Sequence, residues 1–335
     1  MKLRTALSLF IAVPALLICS LSLTGCNSNE NANITEEHLT LDGDINNINI
    51  KVSKAAFKIK VVSADVEEPT LDLFYEEKCK PEHSLSDGNL SISAKKKGRF
   101  SFLNFGLNKS NRMVLTLPEK EYASLNIDNT TGDVYISGLT FSEKVTVKVT
   151  TSDVNIENVR AKALLADVTT GDARLKEVSV TKDMTLKTTS GDIELGKISA
   201  SSLSAEATTG EVELESATLG SLDLEITTGD IELFSVTALG DSSFRTTSGN
   251  INIDSSSFGK FKSKSTTGSL KMKNSDAGEL DIRATTGDVT LTLLSPKNFV
   301  TDSTSGKVDV IGTVYTAPLC NIDVTSGDIT VRIAE

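Results

Sequence analysis

Residues 222–236 read LDLEITTGDIELFSV, in which two runs of alternating apolar and polar residues flank the polar turn Thr227–Asp230. Strict alternation of this kind is typical of a β-strand with one buried face. The same turn, or a close copy of it, recurs down the chain. We call the residue at its glycine position the corner residue, and the corner residues are Gly132, Ser152, Gly171, Gly191, Gly210, Gly229, Gly249, Gly268, Gly287, Gly306 and Gly327.

The spacing of the corner residues is nearly constant, with successive gaps of 20, 19, 20, 19, 19, 20, 19, 19, 19 and 21 residues. A Thr stands two positions before every corner residue, and apolar residues such as Ile231 and Leu233 stand two and four positions after it. A unit of this length is too short for a propeller blade of roughly 40 residues, and it cannot enclose a core of its own. Each unit must therefore bury its apolar face against its neighbours.

The repeat predicts an all-β fold, a parallel β-solenoid (single-stranded β-helix) with 19–20 residues per coil. Parallel β connections are overwhelmingly right-handed, so we expect a right-handed solenoid. Glycine at the corner supplies a positive φ without steric cost. The regular array of about eleven coils is expected over residues 121–335, where a rise of about 4.8 Å per coil gives a rod of roughly 50 Å.

Residues 34–120 repeat less clearly and are predicted to form irregular coils and a cap. Within them a segment around residues 95–112 interrupts the pattern and contains three aromatic residues. This cluster either covers the first open strand edge or forms a contact surface for a partner. The candidate contact residues are Phe100, Phe102 and Phe105.

The end of the array suggests an open edge. The sequence stops eight residues after Gly327, so we expect the last coil to be guarded only by charges such as Arg332 and Glu335. Self-association through this edge is one consequence that such an edge allows.

The first 25 residues have the features of a secretory signal peptide. Lys2 and Arg4 precede an apolar segment, which leads into Leu-Thr-Gly and Cys26. This ending resembles the bacterial lipobox, and the resemblance implies that Cys26 becomes the mature N-terminus and carries a lipid with acyl chains such as palmitate. An uncleaved membrane anchor is the alternative, although the apolar segment is at the short limit for a span. Residues 26–33 then form a flexible tether on the cell membrane or outer membrane, outside the cytoplasm.

The formal net charge is −11, and it becomes about −13 once Lys2 and Arg4 leave with the signal peptide. Nucleic acid is therefore excluded as a partner, because its binding needs clustered Lys and Arg. Cys79 and Cys320 should lie near opposite ends of the rod, too far apart for a disulfide. The column that holds Leu222 and Leu280 also holds Cys320, so we expect a buried thiol there.

An acidic residue follows the corner residue in eight of the eleven units. Carboxylates of adjacent coils could share Ca²⁺, which takes about six or more oxygen ligands. Turn chemistry is the alternative, because Asp and Asn side chains hydrogen-bond nearby backbone N–H groups. One oxygen-bearing residue per coil favours the turn. The Ca²⁺ candidates are Asp133, Asp153, Asp172, Asp192 and Asp230.

Motifs for catalysis are sparse. The two histidines, His38 and His83, precede the array, so the coils hold no Ser-His-Asp set and no histidine-based metal site. No coil carries a long insertion that could form the side of an active-site cleft with paired carboxylates. We therefore predict that the protein is not an enzyme and needs no cofactor, with a polysaccharide-active hydrolase or lyase as the alternative. Later aromatic residues that could form a patch are Phe258, Phe261, Phe299 and Tyr315, of which Phe261 and Phe299 fall in an inward column.

The corner T-[TS]-G-[DEN]-[IV]-x-[LIV], preceded by MVLTLPEKEYASLNI at residues 113–127, resembles the bacterial "putative adhesin" proteins with β-strand repeats. The resemblance covers roughly residues 40–335 and implies a domain of unknown function without catalytic residues. Our leading hypothesis is a non-catalytic, lipid-anchored envelope protein that acts as an adhesin-like binding module or as a structural scaffold. Its expected partners are the membrane, through Cys26, and an envelope or extracellular polysaccharide or protein.

Overall fold

The computed structural model describes residues 34–96 and 111–334, which are almost entirely β-strand and include no α-helix. One short 3₁₀ turn spans Glu77–Cys79. The strands that precede the regular array are β1 Ile34–Thr40, β2 Asn47–Ala64, β3 Thr70–Glu76, β4 Glu82–Ser86, β5 Asn89–Lys95, β6 Asn111–Pro118 and β7 Glu121–Tyr122.

The remaining strands form the repeated coils. In chain order they are β8 Ser124–Thr131, β9 Val134–Ser137, β10 Thr140–Phe141, β11 Lys144–Thr151, β12 Val154–Glu157, β13 Arg160–Ala161, β14 Ala163–Thr170, β15 Ala173–Lys176, β16 Ser179–Val180, β17 Asp183–Ser190, β18 Ile193–Thr209, β19 Val212–Thr228, β20 Ile231–Ser248, β21 Ile251–Asp254, β22 Ser257–Thr267, β23 Leu270–Thr286, β24 Val289–Leu293, β25 Asn298–Ser305, β26 Val308–Val310, β27 Leu319–Ser326 and β28 Ile329–Ile333.

Each coil has three sides. An eight-residue strand such as β11 forms the long side and ends at the corner residue. A four-residue strand such as β12 forms the second side, and a two-residue strand such as β13 forms the third. In the middle of the array these sides merge into continuous bent strands such as β18 and β19.

Equivalent residues of successive coils stack in parallel register. Between β19 and β20, for example, Leu224 lies opposite Phe244 and Thr228 lies opposite Ser248. The long sides form one continuous sheet and the second sides another, because each strand pairs with its counterpart one coil away. This arrangement confirms the predicted parallel β-solenoid.

The core is a single apolar column inside the coils. Along each long side alternate residues point inward, as Leu222, Leu224 and Ile226 do, and these side chains are at most 1% exposed. Burial of such a side chain contributes roughly 1.5–3 kcal/mol. Because one coil alone cannot cover its inward side chains, this stabilisation depends on the neighbouring coils.

The corner glycines allow coils to approach more closely than side chains would permit. At the corners from Gly132 to Gly287 and at Gly327, φ lies between +113° and +152°. A Cβ at Gly229 would lie 1.8 Å from the carbonyl oxygen of Gly210 in the preceding coil. Ser152, which replaces glycine at one corner, has a φ of 128°, and its Oγ accepts the N–H of Gly132 at 3.1 Å.

A second corner lies six residues after the first, and the sequence analysis did not anticipate it. The residue there adopts a left-handed conformation, with φ of 48–74° from Gly138 to Asn274. Asn158 and Asn274 suit this conformation, because Asn adopts the left-handed region readily. Glu177 and Lys197 occupy the same position, and neither residue type has that preference. The column is therefore visible in the backbone but only weakly in the sequence.

At the N-terminal end the chain does not stack its coils in sequence order. β2 lies between the coil of β5 and β6 on one side and the coil of β8 and β9 on the other. Antiparallel strands then cover the outermost coil: β4 pairs with β5, β3 pairs with β6, and β1 pairs with β3. The connection between β5 and β6 runs through residues 97–110, which lie outside the described residues.

The C-terminal end shows a matching exchange of order, and the expectation for this edge was wrong. β27 and β28 insert between β23 and β24 on one side and β25 and β26 on the other. Arg332 therefore lies on an internal coil, and β25 and β26 form the outermost one. Inward residues explain the exchange, because the inserted coil is the more apolar of the two. Its buried residues are Cys320, Ile322, Val324, Ile329 and Val331, whereas the outer coil has Thr301 and Ser303 at matching positions.

We expect Gly229→Ala to destabilise the solenoid by about 2–4 kcal/mol, because the new Cβ clashes with a backbone carbonyl at a positive φ. Gly196→Ala is the matched control: its Cβ would meet only the Cγ of Lys176, at 4.0 Å. Denaturant unfolding of both variants measures the difference. Equal midpoints for the two variants would contradict the role of the corner.

Candidate functional site

The acidic residues after the corners form a ladder of hydrogen bonds between coils. Asp153 Oδ1 accepts the backbone N–H of Asp172 at 3.0 Å, and Asp172 Oδ1 accepts that of Asp192 at 2.8 Å. Asp192 Oδ1 in turn accepts the N–H of Glu211 at 2.8 Å. Asn250 Oδ1 accepts the N–H of Ser269 at 3.1 Å in the same way, so an amide oxygen can replace a carboxylate.

Basic side chains bind several of the remaining carboxylate oxygens. Arg174 lies 3.2 Å from Asp153 Oδ2, 2.5 Å from Asp172 Oδ2 and 3.0 Å from Glu194 Oε1. Lys58 lies 3.1 Å from Asp133 Oδ2. Across residues 34–96 and 111–334, no three His, Cys, Asp or Glu side chains are placed to hold a metal ion. The geometry accounts for this column as turn structure.

The outward residues of the second sides form a broad face, which we call the groove face. It consists of the third and fifth residues after each corner residue, in the coils from Gly132 to Gly268. The third-position residues are Tyr135, Asn155, Arg174, Glu194, Glu213, Glu232, Asn252 and Lys271. The fifth-position residues are Ser137, Glu157, Lys176, Gly196, Glu215, Phe234, Asp254 and Lys273.

Two clefts lie next to each other along the groove face. The first has a volume of about 490 Å³ and includes Gly196, which lacks a side chain in a column of long polar residues. Its lining also includes Tyr135, Asn155, Glu157, Arg174, Lys176, Glu194, Lys197, Glu213, Glu215 and Ser216.

The second cleft has a volume of about 360 Å³ and adjoins the first at Glu213. Phe234 lies in its lining and is 51% exposed, although an aromatic ring usually turns inward. Hydrogen-bonding and charged side chains surround this ring: Glu213, Glu232, Asn252, Asp254, Lys271 and Lys273. Binding sites in proteins combine apolar or aromatic side chains with polar groups that orient the ligand, and this cleft offers both kinds of contact.

The middle of the groove face is acidic. Glu194, Glu213, Glu215 and Glu232 lie there. Glu211, which follows the corner residue Gly210, borders this face outside both clefts; partial burial raises its pKa above the ordinary value, and the nearby carboxylates of Glu232 and Asp192 add to the increase. Among the described residues, Glu211, Glu213 and Glu232 form no salt bridge. The groove therefore presents negative charge between Arg174 at one end and Lys271 at the other.

The sequence analysis missed Gly196 and Phe234. Both residues stand five positions after a corner residue, where most other coils have a polar side chain. A comparison of this position across the coils could have identified them. The residues predicted to form a contact surface, Phe100, Phe102 and Phe105, lie outside the described residues, as does Cys26.

The later aromatic residues do not form the surface patch that was considered as one possibility. Phe258 and Phe261 are 4% and 1% exposed and pack with Phe244 in the core, with ring centroids 4.8 Å apart for Phe244 and Phe261. Phe299 packs partly buried against the core, and Tyr315 is 85% exposed at the end of the rod. The inward placement predicted for Phe261 is confirmed.

Both cysteines in the described part of the chain are free and buried. Cys320 lies opposite Leu280 and Phe299, which confirms its predicted column. Burial raises the pKa of Cys320 to about 12 and also raises the pKa of Cys79. Neither thiol is therefore ionised near neutral pH, so neither is a nucleophile there.

Comparison with protein families matches residues 37–237 and 219–335 to the family described as Toastrack DUF4097. The chain belongs to the Toastrack DUF4097 family. The match extends over the N-terminal coils as well as the regular array, and it confirms the resemblance drawn from the repeated corner. Comparison with curated proteins finds no match.

The Toastrack chain is also similar to several solved structures. One is a putative adhesin from Parabacteroides distasonis, with 13% identity, 90% of this chain and 98% of that chain covered, and a TM-score of 0.37. A putative lipid binding protein from the same organism has 14% identity, coverage of 91% and 98%, and a TM-score of 0.38. A putative cell adhesion protein from Clostridium sporogenes has 11% identity, coverage of 90% and 100%, and a TM-score of 0.24. These names describe those proteins.

In this Toastrack chain we expect Asp192→Ala to lower the free energy of unfolding by about 1 kcal/mol, because the N–H of Glu211 loses its acceptor. Asp192→Asn should retain most of the stability, since Asn250 already performs this role at another corner. Thermal unfolding with and without millimolar Ca²⁺ measures both effects, and we expect Ca²⁺ to change neither. A midpoint that Ca²⁺ raises in the unmodified chain but not in Asp192→Asn would support a metal site instead.

Proposed function

We propose that the protein is a non-catalytic, lipid-tethered binding module of the bacterial cell envelope, and that its groove face holds an extended polysaccharide. The observation that carries this proposal is the pair of adjoining clefts around Gly196 and Phe234 on one regular face. A regular face suits a polymer, because successive coils present similar contacts at a spacing of about 4.8 Å. Successive sugar rings of an extended chain could therefore meet successive coils.

The chemistry of the groove matches a sugar polymer. The exposed ring of Phe234 can pack against the apolar face of a pyranose ring, as aromatic side chains do in many binding surfaces, and the half-buried ring of Tyr135 adds a smaller apolar surface. Carboxylates and amides such as Glu232 and Asn252 can accept and donate hydrogen bonds to hydroxyl groups. These groups line the clefts without a buried polar cavity, so binding is expected to be reversible.

The negative charge of the groove face makes an anionic polysaccharide an unfavourable ligand. Glu213, Glu232 and Glu211 repel an anionic polysaccharide, because like charges across an interface cost binding energy. Neutral glycans, or glycans that carry free amino groups, fit this surface better. A hydrolase or lyase is the second candidate, and the observation in its favour is the raised pKa of Glu211 among other carboxylates.

The membrane tether at Cys26 is part of the proposal. Lipid on the mature N-terminus would hold the solenoid outside the cytoplasm, on the cell membrane or the outer membrane. Residues 34–96 and 111–334 contain no helix long and apolar enough to cross a membrane. More than one acyl chain is needed for stable anchoring, which a diacylglycerol group supplies.

The tether predicts that bacteria expressing the full chain and fed an alkyne-labelled fatty acid will attach the label to it. Cys26→Ser should abolish the label and release the protein from the membrane fraction, because the thioether cannot form. The mass of the intact mature chain provides the second readout. Retention of residues 1–25, with label absent from the unmodified chain, would replace the tether with an uncleaved anchor.

Binding is tested with the chain from residue 26 onward carrying Cys26→Ser, mixed with insoluble neutral, amine-bearing and anionic glycans and pelleted. We expect retention by neutral or amine-bearing glycans, and at least a tenfold loss of affinity for Gly196→Tyr, which fills the first cleft. Phe234→Ala should weaken binding similarly, and a tenfold loss corresponds to about 1.4 kcal/mol. Leu239→Ala is the control, since Leu239 is 76% exposed and lies outside both clefts.

Three outcomes would overturn the proposal. Sugar released into the supernatant would make the protein an enzyme and direct attention to Glu211. Equal binding by Gly196→Tyr, Phe234→Ala and the unmodified chain would place the ligand elsewhere. The absence of binding to every glycan would leave a structural scaffold or a protein-binding module.

A further inference from the structure

The outermost C-terminal coil leaves its backbone edges unpaired. Within the described residues, β25 pairs only with β27, and β26 pairs only with β28. The outer edges of both strands therefore present free N–H and C=O groups. Such an edge is a template for pairing with another strand.

The same end carries most of the exposed apolar surface. Seven of the ten large hydrophobic residues that are exposed in the described chain fall within residues 294–319, which we call the end segment. The most exposed are Tyr315, Ile311, Leu294, Val300 and Leu319. A concentration of apolar side chains in one place marks an interaction surface rather than ordinary exposure.

The opposite end is protected against such pairing. Antiparallel strands cover the N-terminal coil, and the outer strands β1 and β4 carry charges such as Glu36, Glu37 and Glu82. Charged edge strands prevent edge-to-edge association. The two ends of the rod therefore differ: among the described residues no strand covers the C-terminal coil, and its outer strands β25 and β26 carry one charged residue each, Asp302 and Asp309.

We propose that the end segment is a self-association surface through which two copies of this chain join end to end. β25 of one copy lies antiparallel to β25 of the other about a two-fold axis, so that their free backbone groups pair. The contact is isologous, so it closes as a dimer when each copy uses the same end segment.

Charge favours a second copy as the occupant. In the end segment Lys297 is buried against Asp276, and Asp309 pairs with Arg332 of the adjoining coil. The remaining charged residues, Asp302 and Lys307, have opposite signs, so the surface of this segment is close to neutral in a chain of net charge −11. Two copies repel one another elsewhere on their surfaces, but this end can approach its equal without a charge penalty. The end segment spans 26 residues from Leu294 to Leu319, which matches the roughly 20–30 residues per side of a standard interface.

If the chain is tethered at Cys26 as proposed, an end-to-end dimer would connect two membranes. β1 begins at Ile34 in the N-terminal cap, so the Ile34 residues of the two copies lie at opposite ends of the joined rod. Two rods of about 60 Å each, from 13 stacked layers at about 4.8 Å, then connect two membranes about 120 Å apart. The dimer is a homophilic contact between facing surfaces.

Sedimentation of the soluble chain, residues 26–335 with Cys26→Ser, tests the dimer. We expect a reversible monomer–dimer equilibrium with a dissociation constant at about the micromolar level. Val300→Lys should weaken it at least tenfold, and Tyr315→Lys, in an exposed loop, should do so without affecting the strands. Leu239→Lys is the matched control on the middle of the rod. A monomer at a concentration of about 1 mM, or equal dimerisation by all three variants, overturns the proposal.

Spin labels test the orientation. Because Cys79 and Cys320 are buried with raised pKa values, a cysteine introduced at an exposed position can be labelled selectively. Labels at Thr304 should give a short distance across the dimer, and labels at His38 should give none within about 80 Å, given the coil spacing. The reverse result would mean that the N-terminal ends meet, which contradicts the proposal.

Vesicles separate this inference from the proposed tether. The non-acylated chain is coupled through Cys26 to vesicles that contain a maleimide lipid, so bacterial lipidation is not required. Coupled vesicles should cluster, and Val300→Lys should prevent clustering while Leu239→Lys does not. If cells do not attach the fatty-acid label, the proposed tether is refuted, but the clustering of coupled vesicles is unaffected. If the chain dimerises in solution but the vesicles do not cluster, the bridging arrangement is refuted.

Discussion

The close approach of backbones at the corner is the constraint on which the structure depends. At successive corners a Cβ would fall about 2 Å from a carbonyl oxygen of the preceding coil, as it would at Gly191, Gly229 and Gly249. Glycine removes this obstacle and takes the positive φ that the bend requires. The acidic residue that follows then accepts a backbone N–H from the adjacent coil. A coil of another length would shift both contacts out of register, so the spacing of corners varies by only one or two residues.

This constraint separates the residues that build the solenoid from those that are free to differ. Inward positions are apolar or carry a small hydroxyl residue such as Ser242. Corners are glycine except at Ser152, and an oxygen-bearing residue follows every corner except Gly306. Outward positions of the second side carry no such demand, and there the chain places Arg174 beside three carboxylates, Gly196 among long side chains and Phe234 in a polar cleft. A binding surface can therefore change without a cost to the fold, which suits a family whose members share a scaffold.

The sequence predicts the scaffold well because its signals are local and repeated. Alternation fixes which residues point inward, and the corner column places Cys320 in the core. The clefts could not be predicted, because they depend on contrast between neighbouring coils rather than on the repeat itself. The left-handed second corner escapes notice because Glu177 and Lys197 occupy it without a residue type that indicates it. The exchange of coil order at each end could not be predicted either, because the period of the sequence repeat gives the length of a coil and not its position in the stack.

The two exchanged ends differ in a way that bears on how the rod meets its surroundings. At the N-terminal end the outer coil has apolar inward residues such as Leu90, Ile92 and Leu115, and a covering of antiparallel strands keeps them buried. At the C-terminal end the outer coil has Thr301 and Ser303 at inward positions, which tolerate water when no partner is present. Phe299 and Val310 of this coil pack partly buried against the core, whereas Val300 and Ile311 are exposed. This end is stable without a partner and still exposes apolar side chains that a partner can cover, which suits a reversible contact. In a permanent dimer we would expect the inward positions of the outermost coil to be apolar as well.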